Sequence, residues 1–403
     1  MRPPLRVAPA SASQLAADSQ APSIVFIEAD RELRDQLAIA TSTIGLGIDL
    51  SGEQVRIVAS RGELELLRDV LTDYDRALAA RLDEYLRPVQ AWRLRTRALP
   101  LDRPHVMGIV NLTDDSFSGD GVGADVARAL QRADTLREAG ASVIDIGAES
   151  ARADRPVMDE EAEAELVSAA ARALVAAGHR VSIDTYKGKV ANAGLAAGAE
   201  LINDISGLTQ GMDAAYAAID AGAAFVLNYS YSVPKRRPDT PPVYDDVVEE
   251  TVAWMGNRID TLLKAGMQRE RLAIDPGIAF GKSHDEDIQV LRRLGELATF
   301  GLPVLLAHSR KNFIGSINGQ PPTDRDIETQ VLSAMAYTQG VRIFRVHDVS
   351  GTRRAVEMAA ALVSNGPGAF APDAGNWPWR AGAEAGHMIR GGAEGSAPAG
   401  QRW

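Results

Sequence analysis

From residue 103 onward the chain repeats one pattern: a short apolar run, then a longer stretch with apolar residues at helical spacing. The apolar runs fall at 106–110, 142–146, 180–183, 200–202, 224–227, 272–274, 304–306 and 342–346. Helical spacing recurs between them at 124–138, 160–177, 187–196, 247–265 and 325–339, and once more at 352–363. Strands that alternate with helices predict parallel pairing with crossover helices. Eight such units over roughly 260 residues predict a TIM (β/α)8 barrel. A doubly wound sheet is the rival, but no G-x-G-x-x-G opens a helix after the first strand.

Residues 23–100 predict a small N-terminal α/β domain. It has strands at 24–28 and 55–59, a helix at 31–38, and a helical stretch at 62–86 carrying Leu64, Leu66, Leu67, Leu71, Leu78, Leu82 and Leu86. Nothing in it carries recognisable chemistry. Residues 1–22 hold no sustained apolar stretch and predict a disordered arm. Residues 366–403 are rich in Gly, Ala and Pro and predict a disordered tail unless Trp377, Trp379 and Trp403 dock. The barrel is then 101–365.

Charge and composition narrow the partners. Forty-three Lys and Arg against 54 Asp and Glu leave a net charge of −11. Such a surface repels nucleic acid and anionic membranes, so any anionic ligand needs a local cationic site. The sequence contains no Cys, which removes disulfides, thiolate metal sites and thiol nucleophiles together. No apolar run has the length of a membrane span, and the first residues lack the apolar core of a secretory signal. A cytoplasmic homodimer with small-molecule substrates, and with neither nucleic-acid nor membrane partners, is expected.

In a TIM barrel the reactive groups stand at the C-terminal ends of strands. Here Asn111 follows the first run, Gly147-Ala148-Glu149-Ser150-Ala151-Arg152 the second, Asp184 the third and Asn203-Asp204 the fourth. Asn228 follows the fifth, Asp275 the sixth and His308-Ser309-Arg310-Lys311 the seventh; Arg345, His347 and Asp348 close the eighth. A lone Asp after a strand is ordinarily an N-cap or turn former, and a lone Arg a solvated charge. Polar groups at all eight strand ends need another explanation. Asp184, Asn203 and Asp275 make an acceptor-rich floor suited to the N–H edge of a flat, nitrogen-rich heterocycle. Lys311, Arg345 and His347, with Arg152 and Arg310 beside them, make a cationic flank suited to phosphate. Phosphate invites Mg2+, for which Asn111 and Asp115 offer hard oxygen ligands. No H-E-x-x-H or G-x-S-x-G occurs, which argues against a His-built zinc hydrolase and a serine hydrolase.

Six motifs then carry a resemblance. MGIVNLTDDSFS (107–118), SIDTYK (182–187), INDISG (202–207), DPGIAFGK (275–282), SRKNFIG (309–315) and RVHDV (345–349) together resemble the dihydropteroate synthase family. The resemblance implies condensation of 6-hydroxymethyl-7,8-dihydropterin diphosphate with 4-aminobenzoate or a related arylamine, releasing diphosphate in folate biosynthesis. It implies that Asp184, Asn203, Asp275 and Lys311 hold the pterin, that Asn111 binds Mg2+, and that Arg345 and His347 take the diphosphate. Phe117, Phe280 and Ser309 would border the aminobenzoate, and Asp184, Lys311 and Arg345 would carry catalysis.

Two loops depart from the family. Thr113-Asp114-Asp115-Ser116 stands where T-P-D-S is usual, and Glu149-Ser150-Ala151-Arg152-Ala153-Asp154 where E-S-T-R-P-G is usual. Asn228-Tyr229-Ser230 replaces a common His-Met pair. These departures predict weak use of 4-aminobenzoate and low sulfonamide sensitivity. Two other classes keep the pterin floor: a pterin-binding methyltransferase, which does not need the phosphate set, and a non-catalytic pterin-binding paralogue.

Overall fold

The computed structural model of the chain describes residues 5–9, 23–113, 121–149, 157–231 and 242–363. The small domain contains β1 (Leu5–Pro9), β2 (Ser23–Glu28), α1 (Arg31–Thr43), β3 (Ile48–Asp49), β4 (Gln54–Ala59), α2 (Arg61–Tyr74) and α3 (Arg76–Leu86). Its antiparallel sheet runs in the order β1-β2-β4-β3. Period-two alternation puts Val25, Ile27, Val55 and Ile57 on the face that packs against the helical leucines. Leu5 and Val7 fill the same core, so the arm expected over 1–22 is ordered at β1: alternation in two apolar residues suffices when the edge of β2 offers a ladder. The single helix expected over 62–86 is two. Asp75 adopts an extended conformation, and its side chain accepts from the N–H groups of Ala77 and Leu78, ending one helix and capping the next.

A hairpin of β5 (Ala91–Arg93) and β6 (Ala98–Pro100) follows. Trp92 and Leu99 pack under the barrel and not in the small domain, so that domain ends near Leu86 and not at 100.

The barrel strands are β7 (His105–Asn111), β8 (Val143–Gly147), β9 (Val181–Asp184), β10 (Leu201–Asp204), β11 (Ala224–Asn228), β12 (Leu272–Asp275), β13 (Leu305–Leu306) and β14 (Ile343–Val346). They are parallel in the order β12-β11-β10-β9-β8-β7-β14-β13, and a parallel bridge between Ile274 and Val304 joins the two ends. The helices are α4 (Val126–Glu138), α5 (Glu160–Ala176), α6 (Gly188–Ala196), α7 (Asp213–Asp220), α8 (Val247–Lys264), α9 (His284–Arg292), α10 (Asn312–Asn318), α11 (Asp326–Thr338) and α12 (Val349–Val363). The short helices α7, α9 and α10 escape the periodicity reading because a 3.6-residue period needs a longer window to show.

The inward positions place the site. Val143, Leu201, Ala273 and Ile343 fill the lower barrel above Trp92. Two residues further along the same strands the inward positions are Asp145, Asn203, Asp275 and Arg345. The small domain docks outside the barrel beside α8: Arg6 donates to Glu296 at 2.6 Å and also pairs with Glu249, while Thr299 Oγ1 donates to the Leu5 carbonyl at 3.1 Å. Among the described residues no helix is long and apolar enough to cross a membrane.

Candidate active site

The floor is built around one arginine. Arg345 Nε donates to Asp145 Oδ2 at 2.6 Å and its Nη2 to Asp184 Oδ2 at 2.6 Å. Asn203, beside Asp184 in the β9–β10 register, donates to Asp145 Oδ2 at 3.3 Å. Burial opposes the charge of Arg345, but Asp145 and Asp184 outweigh it and hold the guanidinium above its ordinary range. Burial pushes Asp184 up to about 7 against the pull of Arg345. Asp145 is fully buried, and its Oδ1 has no hydrogen-bond partner among the described residues. Arg345 is expected on the phosphate flank; the structure places it in the floor, because its inward position on β14 faces the fully buried Asp145 and the largely buried Asp184. Its Nη1 remains without a partner among the described residues.

A second cluster follows β12. Asp275 is buried and its Oδ1 accepts from the Gly277 N–H at 2.7 Å; burial raises its pKa. Gly277 sits at φ +66°, and a Cβ there would fall 1.9 Å from the Tyr229 carbonyl oxygen, so only glycine closes this turn. Lys311 Nζ donates to the Ile278 carbonyl at 2.5 Å and lies 4.7 Å from the centre of the Phe280 ring. Burial lowers its pKa to about 8. Lys282 was not foreseen as a site residue. Its Nζ donates to the carbonyls of Pro276 and Gly277 at 3.0 and 3.2 Å and stands 3.4 Å from the centre of the Tyr229 ring, and burial lowers it to about 7. Two amines and three acids, Asp184, Asp275 and the Asp287 carboxyl that burial lifts to about 6, therefore share one mouth.

Ser309 and His347, from the seventh and eighth strand ends, meet although the resemblance gave them different ligands: Ser309 Oγ lies 2.9 Å from His347 Nδ1 and accepts from the His347 N–H at 3.3 Å. Arg310 does not join the flank. At φ +58° its side chain turns to Asp326, which it grips with two bonds of 2.7 Å. Asn228 is similarly occupied, donating to the carbonyls of Ile205 at 3.1 Å and Tyr229 at 2.8 Å. Asn111 ends β7, where its carbonyl accepts from the Val122 N–H at 2.9 Å. Arg152, Phe117 and Asp115 lie outside the described residues. Both ends of that Arg152 loop are held by one lysine: Lys187 Nζ donates to Glu149 and Glu163 at 2.5 Å each and to the Met158 carbonyl at 2.9 Å. Lys187 closes the SIDTYK motif, which was its only signal in the sequence.

Residues 107–347 match the pterin binding enzyme family. Over 268 residues the chain is 35% identical to the dihydropteroate synthase of Escherichia coli, covering 66% of this chain and 94% of that protein. The chain belongs to the dihydropteroate synthase family. It spans 32% of a probable bifunctional folylpolyglutamate synthase/dihydropteroate synthase of Haloferax volcanii, at 37% identity over 275 residues. Among solved structures, the Yersinia pestis dihydropteroate synthase with a sulfonamide drug superposes with a TM-score of 0.64 at 36% identity, covering 68% of this chain and 98% of that one. The Xanthomonas albilineans dihydropteroate synthase with 4-aminobenzoic acid gives 0.61 at 38%, with the same coverage. The eight-stranded barrel read from the sequence is thus the dihydropteroate synthase barrel.

Proposed function

We infer that the protein condenses 6-hydroxymethyl-7,8-dihydropterin diphosphate with 4-aminobenzoate, forming dihydropteroate and diphosphate in folate biosynthesis in the cytoplasm. The observation that carries this is the buried Asp145–Arg345–Asp184 bridge beside two buried lysines, in a chain of this family. Structures of the Xanthomonas albilineans synthase with 4-aminobenzoic acid and with 7,8-dihydropteroate support both substrates.

In this reading Asp184, Asn203 and Asp275 accept and donate along the N–H edges of the pterin. The methylene carbon gives up its C–O bond to the diphosphate, the electron pair leaving with oxygen, while the neutral aniline nitrogen forms the new C–N bond and then sheds a proton. Buried carboxylates hold negative charge near the developing cation, and Lys311 with the Ser309–His347 pair draws off the leaving group. A fixed pterin and amine supply orientation. Asn111 suits Mg2+: its side-chain amide has no partner among the described residues, and Mg2+ takes one or two protein oxygens together with phosphate oxygens and water. When bound, the ion would neutralise charge on the leaving diphosphate.

A methyltransferase would not need Lys311 and the Ser309–His347 pair. Product analysis by mass spectrometry with both substrates is the test, and absence of dihydropteroate with pterin binding intact would leave the non-catalytic reading. Assembly as a homodimer is also proposed. Ile327, Val331 and Met335 recur every fourth residue along α11, exposed, next to exposed Met358 and Leu362 on α12. A self-complementary apolar face of this kind suits a two-fold interface. Val331→Glu should convert a dimer to a monomer in light scattering; a native chain that is monomeric at micromolar concentration refutes it.

A further inference from the structure

The barrel mouth opposite the active site holds a cavity of about 660 Å³, within the range of small-molecule sites. Five arginines and three glutamates line it, in a chain whose net charge is −11. Three of the arginines are committed: Arg353 to Glu357 at 2.9 Å, Arg137 to Asp134 at 2.8 Å, and Arg103 weakly to Asp102 at 3.3 Å. The other two are not. Arg97, in the turn between β5 and β6, has no ion-pair or hydrogen-bond partner among the described residues. Arg180, just before β9, spends one nitrogen on the Ser142 carbonyl at 3.2 Å, and its buried Nε has no partner. Burial and the nearby charge of Arg97 both hold the Arg180 guanidinium below its ordinary range.

The acids answer these charges only in part. Glu357 is taken by Arg353, and Glu200 accepts from the N–H and hydroxyl of Thr96 while staying close enough to favour the Arg180 cation. Glu138 is exposed on α4. His105 is neutral, lowered to about 4 by burial, with its ring nitrogens on the Pro100 carbonyl and Ser142. The cavity therefore sets two forked cations above an apolar wall of Leu99, Pro100 and Val356. Leaving a buried guanidinium nitrogen unpartnered is costly unless a ligand supplies the acceptor.

We propose that this cavity binds a small organic polyanion, gripped through its phosphate or carboxylate oxygens by Arg97 and Arg180. The site lies at the N-terminal ends of β7 to β10 and is independent of the catalytic reading. Calorimetry on the full chain with inorganic triphosphate, and separately with citrate, tests it. Binding should weaken at least about tenfold in Arg97→Glu and in Arg180→Gln, with Arg97→Lys intermediate. It should stay within about twofold of native in Lys311→Ala, whose change lies at the other mouth. Dihydropteroate formation should be unchanged in Arg97→Glu. Saturable binding of triphosphate alone identifies phosphate as the recognised group, and binding of citrate alone identifies carboxylate. No saturable binding of either anion overturns the proposal. So does binding that is lost in Lys311→Ala and untouched in Arg97→Glu, because the anion would then occupy the catalytic mouth.

Discussion

Replacing Arg345 by Gln removes the group that, alone among the described residues, bonds both Asp145 and Asp184. Breaking a buried ion pair by deleting one partner costs about 3–5 kcal/mol, because the other charge stays desolvated. Asp145 is 0% exposed and receives the full penalty, whereas Asp184 at 17% keeps some water, which places the expected loss near the lower end, about 3 kcal/mol. The pH dependence follows from the sign of the shifts. Burial already lifts Asp184 to about 7, and without the arginine, whose charge pulls it down, it moves further up. An acid whose folded pKa exceeds its unfolded value of about 3.9 loses stability as pH rises between the two. The variant should therefore fall further short of the native chain in urea at pH 8 than at pH 5. Adding Asp145→Asn should recover part of the deficit at pH 8 without recovering turnover, since one uncompensated charge disappears while the missing cation does not return. A variant that unfolds like the native chain at both pH values would show that the bridge is screened by solvent, and Arg345 would return to the phosphate flank as an open cation.

Four further outcomes are expected. Asp184→Ala and Asn203→Ala should each lower kcat/KM by about 5- to 150-fold, from ~1–3 kcal/mol of unpaired pterin N–H, with circular dichroism unchanged; near-native turnover would make them structural. kcat/KM should rise with pH as Asp184 ionises near 7 and fall as Lys311 loses its proton near 8, and Lys311→Arg should move only the alkaline limb, upward; an alkaline limb that stays in place assigns it elsewhere. Diphosphate should bind more tightly with Mg2+ than without it, a difference that Asn111→Ala erases in calorimetry. Combining Ala151→Thr, Ala153→Pro and Asp114→Pro should improve both 4-aminobenzoate KM and sulfonamide inhibition, and an unmodified chain already at family-like values of both would make these loop changes neutral.

What could be read from the sequence was whatever depends on local pattern. Eight strands stood out because each is an apolar run buried inside a helical shell, and their polar ends followed from the barrel rule. Asp145 was missed because it sits inside such a run, Val143-Ile144-Asp145-Ile146, where one acid looks like an imperfection. Its parity with Val143 was the available signal: an inward acid in a barrel strand needs a cation, and Arg345 is inward too. Lys282 and Lys187 end recognised motifs, but Lys282 folds back onto the Pro276 and Gly277 carbonyls of its own motif, while the partners of Lys187 come from other segments. Arg310 misled for the opposite reason. Adjacency to Lys311 suggested a shared direction, and a left-handed backbone angle sent the two side chains apart.

The neighbours Asn203 and Asp204 show how far a polar strand end can be trusted. Asn203 points inward to Asp145, while Asp204 points the other way, its Oδ1 accepting from the Ser206 N–H at 2.8 Å and its Oδ2 from the Leu208 N–H at 3.1 Å. Asp204 is thus the turn former that a lone Asp after a strand is expected to be, and it holds Leu208 at φ +65°. Asp184 ends its strand in the same way but bonds Arg345 instead of its own loop. Burial lifts both acids, Asp204 to about 6 and Asp184 to about 7. In Asp204 local N–H groups offset that burial. In Asp184 only the Arg345 cation does, which leaves acceptor capacity open to the N–H groups of a ligand. The same reasoning applies to Lys311 and Lys282, whose pKa values burial lowers although Asp275 and Asp287 favour their charged forms. Acids lifted and amines lowered in one cluster suit a ligand that is rich in N–H groups at one end and anionic at the other.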